Sequence, residues 1–251
     1  MRSFFVLLRR ELGALFLSPI AWAAFVFFLV VMGASFWMLL DQLTVGAEAT
    51  EGGTVVGHLL GSIFFWLALW LTVPALTMRT FAEERRSGTF ETLMTAPVRD
   101  GAVVLAKYTG ALIFYGMLWA PTLAYAMALR LLAPADSPLD TGALAAGYLG
   151  VLLIGAMALA AGVLVSALTR NQVVAALACF ALIFVFFLAG FIPYLPLGAT
   201  LTRSWHYASG VTHLLDFSRG VVDTRPIAFY LINTAWLLWA AVQAVEARRW
   251  T

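Results

Sequence analysis

Six apolar runs of membrane-crossing length follow one another along the chain, separated by polar stretches. They cover Ile20–Leu40, Leu59–Met78, Tyr108–Leu129, Gly142–Leu168, Val173–Ile192 and Pro226–Val245. A helix rising about 1.5 Å per residue needs roughly 20 such residues to cross the hydrocarbon core, so each run predicts a span. Pro193 and Pro196 close the fifth, and Pro226 suits the first turn of the sixth. Two further stretches have a different pattern. Wound at about 100° per residue, Arg2 to Leu17 gathers Phe4, Phe5, Leu8, Leu12, Leu15 and Phe16 on one face and Arg2, Arg9 and Arg10 on the other. Glu11 falls on the apolar side and breaks the pattern, and Ser18-Pro19 ends the helix. Residues 1–19 therefore predict an interfacial helix whose bases meet lipid phosphates. In residues 193–225, Val211, Leu214, Leu215, Val221 and Val222 recur at helical spacing opposite Ser209, Thr212, Asp216, Arg219 and Asp223. This predicts a helix lying on the outer surface or dipping back into the membrane.

Composition sharpens this reading. Of 251 residues, 63% are hydrophobic and 11% charged, against about 25% charged in soluble domains. The bilayer must supply part of the solvent. Three bases precede the first apolar run, as in a secretory leader, but that run is too long for one and has no clear cleavage site, so a retained helix is expected. The only cysteine, Cys179, excludes a disulfide framework. A net charge of +2 is too small to suggest a nucleic-acid partner. The placement of charge is more informative. The N-terminal segment, the loop Arg79–Lys107, Arg170 and the tail with Arg248 and Arg249 hold 11 of the 15 basic residues. The first loop on the other side has Asp41, Glu48 and Glu51 and no base. The base-rich side is expected to be cytoplasmic, and an even number of spans puts both termini there.

Within the spans, Gly142, Ala146, Gly150, Ala158 and Gly162 mark close helix contacts, either inside one subunit or across a dimer. Asn233 and Gln243 are expected to bond between helices. No Asp or Glu sits in the core of a span, which argues against a proton-coupled carrier.

The loop of residues 79–107 has the densest chemistry. Glu83, Glu84, Arg85, Arg86 and Glu91 mix the two signs densely, and Gly88 interrupts them. Thr89 caps a predicted short helix, Phe90 to Ala96, that Pro97 stops, with Phe90, Leu93 and Met94 on one side. Asp100 is placed to cap the next helix. Composition alone fits either an ordinary solvated loop or a short element that docks into a soluble partner's cleft.

This segment, Glu-Glu-Arg-Arg-Ser-Gly-Thr-Phe-Glu-Thr-Leu-Met-Thr-Ala-Pro-Val, closely resembles the one after the second span in type-2 ABC exporter permeases. Glu84, Gly88, Thr89, Glu91, Leu93, Pro97, Val98 and Lys107 match the family pattern, and Met94 stands where leucine is usual. Length, amphipathic start and long last outer loop extend the resemblance over the chain, nearest to the gliding-motility and copper-enzyme-maturation group. The resemblance implies one all-α permease domain over residues 1–251 with six transmembrane helices in a bacterial cytoplasmic membrane. It also implies a cytoplasmic coupling helix and a re-entrant outer helix before the last span. The expected partners are two ABC ATPase subunits, which bind the ATP and Mg, a second permease copy or homologue, membrane lipid, and a periplasmic accessory protein. Glu84 and Glu91 would set charged contacts at the docking cleft and Phe90, Leu93 and Met94 its apolar part, within a coupling set that also includes Glu83, Gly88, Thr89 and Pro97.

The chain has no Gly-x-x-x-x-Gly-Lys-Ser/Thr loop to cradle ATP phosphates, so it is expected to be non-catalytic and to carry no cofactor. His206, His213 and Asp216 are weak candidates for a zinc or copper site. No Cys or Met cluster completes it, and polar residues covering an outer face explain them more simply. Three functions remain: an exporter permease of unidentified cargo, a mechanotransmitter passing work to periplasmic partners, or an ATPase-independent channel or scaffold.

Overall fold

The computed structural model describes residues 2–44, 55–86, 88, 99–132, 140–192, 205 and 207–247. Its elements are all helices among the described residues: α1 (Arg2–Phe16), α2 (Pro19–Thr44), α3 (Val55–Leu60), α4 (Ile63–Thr77), α5 (Ala82–Arg86), α6 (Asp100–Trp119), α7 (Thr122–Leu132), α8 (Thr141–Leu168), α9 (Gln172–Ala189), α10 (Gly210–Ser218) and α11 (Thr224–Ala247). Among the described residues, five segments are long and apolar enough to cross a membrane: Pro19–Asp41, Asp100–Leu131, Thr141–Leu168, Gln172–Ala189 and Thr224–Ala247. The chain is thus a multi-pass helical membrane protein. The expected second span corresponds to α3 and α4, separated at Gly61 and Ser62, and α4 has only 15 residues.

α8 is the most buried of the five and forms the axis of the bundle, touching α4, α6, α9, α10 and α11. Its glycines explain how so many helices approach it. A Cβ on Gly147 would sit 2.7 Å from Leu60, on Gly150 2.8 Å from Phe217, on Gly155 2.2 Å from Tyr115, and on Gly162 2.2 Å from Thr77. These close contacts lie within the subunit. Asp140 caps α8 by accepting from Gly142 N at 2.8 Å, and Asn171 caps α9 through Val173 N at 2.9 Å.

The third expected span is two helices, because Pro121 brings no amide hydrogen to the ladder. The Thr122 hydroxyl donates to the Trp119 carbonyl at 2.7 Å and pairs with the Tyr148 hydroxyl, also at 2.7 Å. Asp100 is the first residue of α6 and not its cap, a position held by Arg99. Asn233 and Gln243 bond within their own helix, to the Phe229 carbonyl and to Glu246, and among the described residues neither bonds to another helix.

Helix α10 is shorter than its apolar pattern. Gly220, at φ +82°, lets the chain turn: Gly220 N bonds Phe217 O and Val221 N bonds Asp216 O, both at 3.0 Å. This left-handed closure satisfies the last carbonyls and leaves Val221 and Val222 outside the helix and exposed. Nine residues span about 14 Å, too short to cross a bilayer.

Candidate functional site

Lys107, two turns into α6, is 3% exposed, too buried for an isolated ammonium. Its Nζ donates to Glu84 Oε1 of α5 at 2.8 Å and to Glu11 Oε1 of α1 at 3.1 Å. The Phe81 ring lies 5.2 Å from the same nitrogen. Arg10 Nη2 approaches Glu84 Oε1 at 3.7 Å. Two acids and two bases from three helices thus neutralise one another. Arg79 and Glu83, 3.8 Å apart and both partly exposed, extend the charges outward but add little on their own. A groove of about 450 Å³ opens beside the cluster, bordered by Arg10, Glu11, Arg79, Glu83, Glu84 and Lys107.

Glu11, which breaks the sequence pattern of α1, lies on its packing face because Lys107 waits there. The rest of that face is apolar: Leu7 and Leu15 pack on the core, and Phe16 meets Phe114 edge-on at 5.4 Å. Arg9 and Arg10 stay exposed, although Arg10 leans toward Glu84. The side chain of Arg2 lies outside the described residues.

The start of α5 is fixed by a residue that the sequence does not single out. The fully buried Ser166 Oγ of α8 accepts from Phe81 N at 3.1 Å and Ala82 N at 3.2 Å, and donates to Met78 O at 3.3 Å. It caps α5 from a neighbouring helix. Ser166→Ala is expected to leave both amides unsatisfied, costing about 1–3 kcal/mol. Hydrogen exchange at Phe81 and Ala82 should accelerate while α8 stays protected. Unchanged exchange there would sink this role.

Beyond α5, Gly88 adopts φ +75°, a conformation open to glycine at little cost. Thr89, Phe90, Glu91, Leu93, Met94 and Pro97 lie outside the described residues, so the docking edge expected of them has no structural account. The structure therefore joins Glu84 to Lys107 and leaves the rest of the expected coupling set aside.

At α10, His213 is 5% exposed and its Nδ1 lies 3.2 Å from the Tyr230 hydroxyl. Phe229 and Tyr230 stand edge-on to the imidazole. Burial pushes its pKa down, partly opposed by the charges of Asp216 and Asp223. The packed ring favours the neutral form, so the unfolded state binds the proton more readily. His213 therefore adds stability that is complete above about pH 6.5 and is lost as pH falls toward the lowered value. Exchange protection of α10 should weaken on acidification, and His213→Phe should remove that dependence; equal weakening in the variant would place its origin elsewhere. Asp216 is exposed on the same helix, and His206 lies outside the described residues. Among the described residues no three His, Cys, Asp or Glu side chains gather as a metal site would require.

A family model described as ABC-2 family transporter protein matches residues 40–242. The matched span holds Glu84, Lys107, Ser166 and His213, while α1 precedes it. No curated protein matches the chain.

Proposed function

This chain belongs to the ABC-2 family of transporter proteins, and from that premise we propose that it couples ATP hydrolysis on two separate ATPase subunits to export of a substrate. It is the transmembrane subunit of an ABC transporter, a permease. The observation that carries the coupling role is the fixation of α5. Ser166 holds its backbone and Lys107 its Glu84 carboxylate, so the charged helix α5 is anchored to α6 and α8. Force on that segment has a defined route into the bundle. Both termini and this segment lie on the cytoplasmic side of a bacterial inner membrane, and a second permease copy or homologue completes the path. ATP changes the permease only by favouring one of its states over another.

Purification from detergent with an ATPase encoded nearby tests this. The native chain should bring down the ATPase, and a Glu91→Ala, Leu93→Ala double variant should not. A native chain that purifies alone under gentle conditions would point to the channel or scaffold reading. A second reading, work passed to an accessory protein outside, is favoured by the exposed Tyr207, Asp216, Asp223 and Arg225 bordering a cavity of about 360 Å³ at α10. ATP-dependent transport by reconstituted vesicles without that protein would exclude it.

A further inference from the structure

We propose that the groove between α7 and α8 seats one anionic glycerophospholipid, with the headgroup phosphate on Arg130 and an acyl chain along α7. The break at Pro121 creates the groove. Before it, α6 packs on α8; after it, α7 leans toward α2, where Phe36 stacks on Tyr125 with ring centroids 4.7 Å apart. The Thr122 and Tyr148 hydroxyls, 2.7 Å apart, hold the start of α7 on α8, so the gap opens beyond that pair. It has a volume of about 550 Å³, bordered by Leu123, Ala126, Met127, Arg130, Leu131 and Leu144. That is within the usual range of ligand clefts.

The lining says what fits. From Leu123 to Leu131 the helix rises about 12 Å, which stays within one leaflet, about half of the 30 Å hydrocarbon core. Met127 and Leu131 are 66% and 77% exposed, so the wall opens sideways to lipid. An acyl chain laid there supplies the dispersion contacts that two parted helices forgo. Arg130 marks the headgroup end. It lies in the last turn of α7, 23 residues after Lys107, and so near the opposite membrane face. Thr141, at the start of α8, also borders the groove and adds a hydroxyl. Among the described residues no carboxylate forms an ion pair with Arg130. Asp140, beside Thr141 in the chain, is turned to its own helix, accepting from Gly142 N at 2.8 Å. The guanidinium therefore keeps its charge for an outside anion, and its planar fork matches a phosphate. A zwitterionic headgroup carries its own cation beside the phosphate, so the net charge of Arg130 favours an anionic one.

The test uses the full chain in mild detergent, offered equal amounts of phosphatidylglycerol and phosphatidylcholine with the same acyl chains. Native mass spectrometry counts the lipid that stays bound. The native chain should retain phosphatidylglycerol about fivefold over phosphatidylcholine, the discrimination that one base at the headgroup level provides. Arg130→Gln should lose this preference. Met127→Trp puts an indole into the groove and leaves Arg130 in place, and it should lower retention of phosphatidylglycerol several-fold. Both residues are exposed, so both variants should fold as the native chain does. Excess glycerol phosphate, which brings the anion without the chain, should displace nothing. Equal retention of the two lipids by the native chain would mean an ordinary lipid shell and overturns the proposal. A preference that survives in Arg130→Gln overturns it too, by placing the headgroup elsewhere. Displacement by glycerol phosphate would reduce the site to one for a free phosphate, and native retention in Met127→Trp would take the acyl chain out of the groove; either result also overturns it.

Discussion

Replacing Lys107 by methionine is expected to destabilise the chain by about 3–5 kcal/mol, the usual loss when one partner leaves a buried ion pair. Methionine keeps an unbranched stem of similar size, so packing changes little and the loss is electrostatic. What remains is two carboxylates, Glu11 and Glu84, that had shared one ammonium at 3.1 and 2.8 Å. Arg10 stays within 3.7 Å of Glu84 but is 59% exposed, so solvent screening limits what it can replace. Denaturation of the purified protein in detergent measures the effect. The triple variant Lys107→Met, Glu11→Gln, Glu84→Gln provides the sharper check. Removing the charges together takes away the acids that had shared the ammonium, so it should recover most of the loss, well short of additivity. A single variant as stable as the native chain would mean that the cluster contributes nothing to stability.

The spans were legible because lipid imposes a length and an apolarity that a single stretch of sequence must satisfy alone. Four of the five long segments follow their apolar runs closely, the other starts eight residues before Tyr108, at Asp100, and α8 and α9 begin just after their caps Asp140 and Asn171. What sequence hid depends on residues far apart. Glu11 looked like a defect in an amphipathic helix because its partner stands 96 positions later. Lys107 was visible only as a family position at the foot of a span. Ser166 is one hydroxyl near the end of an apolar run, and its two amide partners lie more than 80 positions earlier. Pro121 was an available signal for the break between α6 and α7, which the length of the apolar run masked. The small-residue spacing pointed to close contacts at Gly150 and Gly162, but only the neighbours of α8 tell that these are internal and that Gly147 and Gly155, which the spacing passed over, make such contacts too.

Those glycines allow a prediction in which two physical effects oppose each other. An alanine in a helix interior is favoured over glycine by about 1 kcal/mol. At Gly155 of α8 this gain meets the ring of Tyr115, whose Cε1, Cζ and hydroxyl oxygen would lie 2.2, 2.3 and 2.5 Å from the new Cβ. Tyr115 cannot simply swing away. It is 1% exposed, and its hydroxyl donates to the Val151 carbonyl of α8 at 3.2 Å. Overpacking of this kind costs about 1–3 kcal/mol and sometimes more, so the clash should exceed the propensity gain and Gly155→Ala should lose stability. Gly116 of α6 provides the control, since a Cβ there meets nothing within 4 Å. Gly116→Ala should be neutral or stabilising by up to about 1 kcal/mol. Adding Tyr115→Ala to Gly155→Ala should cost less than the sum of the two changes, because the cavity left by the ring makes room for the methyl. Thermal unfolding of the four variants against the native chain reads all of this. Equal shifts for the two glycine variants would show that α6 and α8 can separate freely, and that the seam does not set their distance.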